Sequence, residues 1–105
     1  MKWECLFLPE GNDDLLRLDG SQCILVMKAL WKVLQNPLPA SEGGYGKPLG
    51  NHNGTHLSGF YKIKIRSAGI RIVYQLIRMK GQMVVIVIGA RADDQIYFMA
   101  EGRMK

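Results

Sequence analysis

Two neighbouring segments with strict alternation constrain the fold more than any other feature of the chain. In residues 61–66 apolar side chains alternate with basic ones, and a second alternating segment covers residues 70–76. A period of two is typical of strands with one buried face. An odd-length connection would place Arg71 on the apolar face, so we predict an even-length connection with Arg71 opposite Arg66. The predicted basic face consists of Lys62, Lys64, Arg66 and Arg71.

Both strands lie inside a long segment without acidic residues. Residues 43–92 contain none of the 9 Asp and Glu residues of the chain but 8 of its 14 Lys and Arg residues. The rest of the chain has the remaining 6 basic residues and all 9 acids, so the net charge of +5 is unevenly distributed. A one-signed surface favours a polyphosphate partner. Basic residues on a solvated strand face also protect against aggregation, which is the simpler interpretation of the alternation.

Turn and capping signals divide the chain into short elements. We predict strands at 2–8, 57–66, 70–77 and 82–89, and helices at 13–18, from Ser21 to about Gln35, and at 92–104, with residues 36–55 as a loop. The order β-α-α-β-β-β-α predicts an α+β fold with a largely antiparallel sheet. Asn12 and Ser21 are the predicted N-caps of the first two helices.

The second predicted helix is apolar except along one stripe. Lys28, Lys32 and Gln35 form that stripe at a spacing of i, i+4 and i+7. Apolar side chains occupy most of the remaining circumference, which indicates that the helix packs on two sides.

Length and composition indicate one domain spanning residues 1–105. No segment approaches the roughly 18 apolar residues of a membrane span, and early acidic residues argue against a signal peptide. We therefore expect a cytoplasmic protein without a membrane partner. Cys5, Cys23, His52 and His56 have no recognisable ligand spacing, so we expect no metal site and no cofactor.

A longer motif carries a family resemblance. Residues 46–49, 57–75, 89–91 and Tyr97 together are similar to the RelE/ParE toxin superfamily, in particular to its RelE branch. The segment from Tyr61 to Gln75 is the specific part of the motif. The resemblance implies a RelE-like, microbial ribonuclease-type fold with a helical hairpin near the N-terminus and a helix at the C-terminus.

The same resemblance implies a function and a reaction. RelE-type toxins of type II toxin–antitoxin systems are ribosome-dependent endoribonucleases that cleave mRNA in the A site and so inhibit translation. A ribose 2′-hydroxyl attacks the adjacent phosphate and leaves a 2′,3′-cyclic phosphate. No metal is implied, because basic side chains supply the positive charge. The implied partners are a cognate antitoxin and the mRNA-programmed 70S ribosome. We expect a monomer when free and a hetero-oligomer with antitoxin.

The resemblance assigns roles to individual residues. The implied catalytic set is Lys62, Lys64, Arg71, Arg91 and Tyr97. We add Lys47, Arg66, Arg78 and Lys80 as RNA-binding residues because they lie in the basic segment. Guanidinium meets phosphate bidentately, which suits Arg71 to developing charge. Lys64 is the candidate for handling the 2′-hydroxyl proton, although the assignment of base and acid stays open.

Departures from the motif and two other functions stay open. Ala90 stands where the RelE branch often has a basic residue, and Asp93 and Asp94 make the terminal helix less basic. We interpret these two acids as favourable charges at a helix start. A ParE-like DNA gyrase inhibitor would share the fold without nuclease chemistry, and an inactive RNA-binding domain is the third alternative. The paired strand lysines favour the nuclease.

Overall fold

The fold is a mixed sheet with helices against both of its faces. The computed structural model describes residues 2–50 and 57–104. The elements in chain order are β1 (Glu4–Phe7), α1 (Pro9–Leu16), α2 (Gly20–Leu34), β2 (Lys47–Gly50), β3 (Leu57–Ile65), β4 (Ile70–Ile77), β5 (Gln82–Gly89) and α3 (Asp93–Arg103), with 3₁₀ turns at Ala40–Glu42 and Arg78–Lys80. Within these ranges the strand order is β1-β5-β4-β3-β2.

The sheet confirms the predicted fold class. Only β1 and β5 run parallel, and the pairs β2–β3, β3–β4 and β4–β5 are antiparallel. The predicted bounds of β4 and β5 are confirmed residue for residue. The short strand β2 corrects the prediction that residues 36–55 form only a loop.

The two N-terminal helices begin earlier than predicted. Pro9 occupies the first turn of α1, where its missing N–H costs nothing, instead of breaking the chain before a later helix. Asn12 therefore lies inside α1 and is not its cap. The cap of α2 is Asp19 rather than Ser21: the Asp19 carboxylate accepts from the Gln22 N–H at 2.8 Å, and the Gln22 side chain accepts from the Asp19 N–H. This reciprocal capping box fixes the start of α2.

The register between β3 and β4 differs from the predicted register by two residues. Arg71 lies opposite Lys64, not Arg66, because a four-residue turn at 66–69 joins the strands. Gly69 closes that turn with a φ of 65°, a conformation that favours glycine. A shift by two residues preserves the faces, so Lys62, Lys64 and Arg71 remain on one side while Arg66 lies in the turn.

Each face of the sheet has its own apolar core. On one face Val26, Leu30 and Val33 of α2 pack against buried side chains of β3, β4 and β5. On the other face Ile96, Tyr97 and Ala100 of α3 pack against a second set that includes Val73 and Ile86. The basic side chains of β3 lie on the α3 face, and this places α3 next to them.

The helix α2 buries one stripe and leaves a second apolar stripe uncovered. Ile24, Leu25, Met27 and Trp31 are exposed, Trp31 to 69%. The prediction that α2 packs on two sides is therefore wrong for the chain without a bound partner. Only part of the apolar circumference predicted for α2 meets the sheet.

A buried ion pair holds the end of α3 to the rest of the fold. The Arg103 guanidinium donates to both carboxylate oxygens of Asp14 in α1, at 2.6 and 3.2 Å, and to the Ile86 carbonyl at 2.8 Å. Asp14 also accepts from the Ile88 N–H at 3.0 Å. The two side chains are only 16% and 6% exposed. One carboxylate thus joins α1, β5 and α3. No helix in the described part of the chain is long and apolar enough to cross a membrane.

We predict that Asp14→Ala lowers the free energy of unfolding by about 3 kcal/mol, since it leaves a buried guanidinium and a backbone N–H without their partner. Urea unfolding followed by tryptophan fluorescence measures the change. Asp13→Ala is the matched control, because Asp13 is exposed on the same helix, and its effect should stay within about 0.5 kcal/mol. Equal effects of the two substitutions would contradict the structural role of Asp14.

Candidate functional site

The centre of the site is a pair of basic side chains that face each other across β3 and β4. Lys64 and Arg71 are direct cross-strand partners. Both contact Asp93, the first residue of α3: Lys64 Nζ donates to Asp93 Oδ2 at 2.8 Å, and Arg71 Nε donates to Asp93 Oδ1. We call this three-residue arrangement the Asp93 bridge. It connects the two strands of the basic face to the helix that covers the sheet.

The Asp93 bridge offsets an unfavourable charge pair. Like charges directly opposite each other in a sheet are destabilising, and one carboxylate between them removes most of that repulsion. The Lys64 and Arg71 hydrogen bonds hold the pKa of the Asp93 carboxyl below its usual value, so Asp93 stays ionised at neutral pH. The three side chains are 28%, 29% and 34% exposed, respectively. A ligand from solvent can therefore reach the same groups.

Further contacts fix the direction of the Arg71 guanidinium. Arg71 Nη1 donates to the Arg91 carbonyl at 3.0 Å and to the Gly69 carbonyl at 3.3 Å. Gly89, opposite Arg71 in β5, allows α3 to lie close, because a Cβ there would come within 2.8 Å of Ile96 Cδ1. The guanidinium is held before any ligand arrives, which lowers the cost of ordering it on binding.

A shallow cavity opens beside the Asp93 bridge. It has a volume of about 260 Å³, and its lining includes Lys64 and Arg71 together with Arg66 in the turn. The cavity therefore presents three basic side chains from one strand pair. This arrangement fits a phosphate group better than a neutral ligand.

The remaining predicted site residues occupy three different settings. Lys62 lies two residues before Lys64 in β3 and pairs with Lys47 of β2. Arg91 is exposed directly after β5, and its carbonyl belongs to the contacts of Arg71. Arg78 and Lys80 lie in the turn beyond the far end of β4, away from the Asp93 bridge. The structure thus brings the Lys64 and Arg71 side chains together, with Lys62 next to them, and places the Arg91 backbone at Arg71. Arg78 and Lys80 lie outside the group.

Tyr97 lies in the core of the α3 face. Its side chain is only 3% exposed and packs among the apolar residues between α3 and the sheet. Burial, with the Asp93 carboxylate nearby, raises the pKa of the Tyr97 hydroxyl, so the group stays protonated at neutral pH. With α3 in this position the Tyr97 ring has no open face for a base to stack on. His52 and His56 lie outside the described residues.

Two acidic residues that border the acid-free segment reach back into it. Asp93, directly after the segment, pairs with Lys64 and Arg71, and Glu42, directly before it, pairs with Arg78 through two bonds of 2.8 and 2.6 Å. The Arg78 bonds lower the pKa of the Glu42 carboxyl. Sequence reasoning missed both partners. The signal that could have found Asp93 is its spacing, one helical turn before Tyr97 on the same side of α3.

Comparisons with known proteins agree with this fold and site. No family model matches the chain. It is 46% identical over 44 residues to the mRNA interferase toxin RelE of Escherichia coli K12 and 40% identical over 45 residues to another RelE-like toxin protein of E. coli. These segments span just under half of each relative, 46% and 47%. The chain also aligns with the free-state structure of an E. coli RelE mutant in which two arginines are replaced by alanine. The alignment covers all of both chains, with 27% identity and a TM-score of 0.75.

The chain is therefore similar to RelE toxins in sequence over part of its length and in fold over its whole length. The intact E. coli RelBE toxin–antitoxin complex is a further structural relative, with 28% identity over 86% of this chain, 98% of the relative and a TM-score of 0.65. The RelE-like architecture confirms the fold predicted from the resemblance of residues 46–49, 57–75, 89–91 and Tyr97. The catalytic roles of the individual side chains stay predictions from the resemblance.

We predict that the pKa of the Asp93 carboxyl is lower in the native protein than in the unfolded chain. Lys64→Met should raise this pKa, because it removes the Lys64 hydrogen bond, the largest cause of the lowering. Carbonyl-carbon NMR of the Asp side chains during an acid titration measures this. Because the native pKa is the lower one, the stabilisation from the Asp93 bridge is present at neutral pH and lost as the pH falls through the native pKa. An unchanged Asp93 titration in the variant would contradict the bridge. Lys28→Met is the control.

Proposed function

We propose that this protein is the toxin of a type II toxin–antitoxin system and acts as a metal-independent endoribonuclease on ribosome-bound mRNA in the cytoplasm. The observation that carries the proposal is the direct cross-strand pairing of Lys64 and Arg71 beside a basic cavity. The similarity to the mRNA interferase toxin RelE of E. coli K12 supports it. A protein that acts only by binding does not need two opposed cations held by a carboxylate.

The geometry supports attack of a 2′-hydroxyl on the neighbouring phosphate. In this reaction the O2′–P bond forms, the P–O5′ bond breaks, and the products carry a 2′,3′-cyclic phosphate and a 5′-hydroxyl. We assign the two non-bridging oxygens of the reacting phosphate to Arg71. Its guanidinium is already oriented by the Arg91 and Gly69 carbonyls. Lys64 is placed to handle the 2′-hydroxyl proton, and Lys62 adds charge at the phosphate. Arg91 stabilises the negative charge that develops on the leaving 5′-oxygen, which takes up a proton from water.

In the closed arrangement seen here, Asp93 occupies the position that we assign to the phosphate. A carboxylate between Lys64 and Arg71 makes the same charge-assisted bonds that a phosphate oxygen would make. RNA and Asp93 therefore compete for the two cations. The first turn of α3 has to move before the substrate binds, and the same movement would uncover Tyr97, four residues further along the helix. We assign Tyr97 a contact with the RNA in that open state.

An antitoxin partner fits the uncovered apolar stripe of α2. Ile24, Met27 and Trp31 lie exposed on one side of the helix, and an apolar surface of this kind marks an interaction site. The related E. coli RelE has been solved together with its antitoxin. We propose that the antitoxin of this protein covers the α2 stripe and forms a hetero-oligomer, whereas the free toxin is a monomer.

We predict that the purified protein cuts mRNA within the A-site codon of programmed ribosomes and leaves free mRNA intact. Lys64→Ala and Arg71→Ala should each lower the cleavage rate by about 10²- to 10³-fold, because each removes a charge from the transition state. Mapping of the mRNA ends measures the products and their rates. Lys28→Ala removes an exposed lysine from α2 and should leave the rate unchanged.

Two results would argue against this function. Cleavage that survives both substitutions would place the reaction elsewhere in the chain. A folded wild-type protein that leaves ribosome-bound mRNA uncut would favour the gyrase inhibitor, and a DNA supercoiling assay would then test that alternative directly.

We predict that Asp93→Asn binds single-stranded RNA about tenfold more tightly and cleaves faster at limiting RNA, because the internal competitor loses its charge. The measurement is fluorescence anisotropy with a 2′-O-methylated, non-cleavable RNA. Asp94→Asn is the matched control, since Asp94 is the neighbouring exposed acid and its substitution changes the net charge equally. Tighter binding by both variants would show only a net-charge effect. Loss of cleavage in a folded Asp93→Asn protein would instead make Asp93 a participant in the reaction.

A further inference from the structure

A second basic cavity lies at the edge of the sheet, on the other side of Lys64. It has a volume of about 320 Å³ and is lined by Ala29, Lys32, Val33, Tyr45, Lys47, Lys62, Ile63 and Lys64. Half of the lining residues are lysines from three different elements, and none is acidic. Lys64 also lines the cavity beside the Asp93 bridge, so the two basic cavities are neighbours that share this residue. We call this second cavity the Tyr45 cavity.

The Tyr45 cavity carries uncompensated charge. Lys47 and Lys62 face each other across β2 and β3, and like charges in this position are destabilising. In the described residues no ion pair joins either lysine to an acid, whereas the neighbouring pair of Lys64 and Arg71 has Asp93. The lysine pair therefore costs stability in the free protein, and a bound anion would relieve it.

An aromatic ring completes the Tyr45 cavity. Tyr45 is 51% exposed, and the Lys32 ammonium lies 5.4 Å from the centre of its ring. A cation at this distance is attracted to the ring face and steadies its orientation. The exposed half of the ring remains available to a flat ligand. Basic groups beside an accessible aromatic ring are the combination with which proteins bind single-stranded nucleic acid, because phosphates neutralise the charges and a base stacks on the ring.

The backbone holds Tyr45 firmly in this position. The Tyr45 N–H donates to the Asn36 carbonyl at 2.9 Å, and the Gly46 N–H donates to the Leu38 carbonyl at 2.9 Å. The flanking glycines make this approach possible, since a Cβ at Gly44 would lie 2.0 Å from the Leu38 carbonyl oxygen. The turn is therefore clamped against residues 36–38. A ring that is already ordered loses little freedom on binding.

We propose that the Tyr45 cavity is a nucleotide subsite for single-stranded RNA. It binds the nucleotide next to the phosphodiester held at Lys64 and Arg71. Tyr45 stacks on the base, and Lys47 and Lys62 bind the backbone phosphate. This subsite deepens the proposed nuclease function and rests on it for the identity of the ligand. An acidic peptide would satisfy the lysines but would offer no flat base to the ring, which is why the observations favour RNA.

The test measures RNA binding separately from ribosome-dependent cleavage. The probes are six 2′-O-methylated RNA hexamers, each with 2-aminopurine at a different position. Each is mixed with the 105-residue protein. We expect 2-aminopurine fluorescence to be quenched most strongly at one position, and Tyr45→Ala to abolish that quenching and weaken binding at least about fivefold. Tyr45→Phe keeps the ring and should bind like the wild type.

The lysines give an independent readout. Lys47→Gln should weaken RNA binding and reduce the salt dependence of the binding constant by about 0.7 in log–log slope, as expected for one lost phosphate contact on a single strand. Tyr45→Ala should leave that slope unchanged. Lys47→Gln should also raise the midpoint of thermal unfolding of the free protein, because the charge pair with Lys62 disappears. A residue with a purely structural role would not combine weaker binding with higher stability.

The outcomes separate this subsite from the proposed function. If Tyr45→Ala and Lys47→Gln bind RNA like the wild type, the subsite is overturned, while cleavage lost in Lys64→Ala would still support the nuclease. If the wild type binds no RNA hexamer, or if an acidic peptide shows the Tyr45 dependence and RNA does not, the cavity is not an RNA subsite. Tyr45-dependent RNA binding by a protein that does not cleave would support the subsite and refute the nuclease.

Discussion

Two positive charges that face each other across a sheet are the constraint on which the rest of this structure depends. Lys64 and Arg71 cannot separate, because the four-residue turn at 66–69 and the backbone pairing of β3 with β4 fix the register of the two strands. A negative group therefore has to come to them, and Asp93 supplies it from the start of α3. That one contact holds the start of α3 against the sheet, keeps the basic pair ordered, and fills the position that the proposed function assigns to a phosphate.

The two ends of α3 are held with different strength. At one end Arg103 pairs with Asp14 in a largely buried ion pair, and removal of either partner would leave a mostly buried charge without its counter-charge. At the other end Asp93 is about one-third exposed, so water can replace its contacts at low cost. Opening of the site therefore begins at the first turn of α3 while the C-terminal end stays anchored. A polyanion can drive that opening because it replaces Asp93 with an equivalent charge.

The sequence predicted which side chains share a face but not which ones meet. Alternation has a period of two, so it excludes a shift of one residue between β3 and β4 but cannot detect a shift of two, and Arg71 lies opposite Lys64 rather than Arg66. The family motif identified the basic pair, yet Asp93 was missed because its charge also suits a helix start. Periodicity likewise showed that α2 is apolar on two sides. It could not show that Ile24 and Trp31 have nothing to cover them within the described chain.

The charges of the acid-free segment fall into two groups, and the difference implies an order of events. Lys64, Arg71 and Arg78 are already paired with acids from outside the segment, whereas Lys47 and Lys62 have no such partner among the described residues. Unpaired charges exert the stronger field on an approaching polyanion. We therefore expect RNA to meet the edge of the sheet first, where no contact has to be broken. Once RNA is held at this edge, its next phosphate lies close to the Asp93 bridge. Displacement of Asp93 is then an exchange within the complex and no longer depends on the concentration of free RNA.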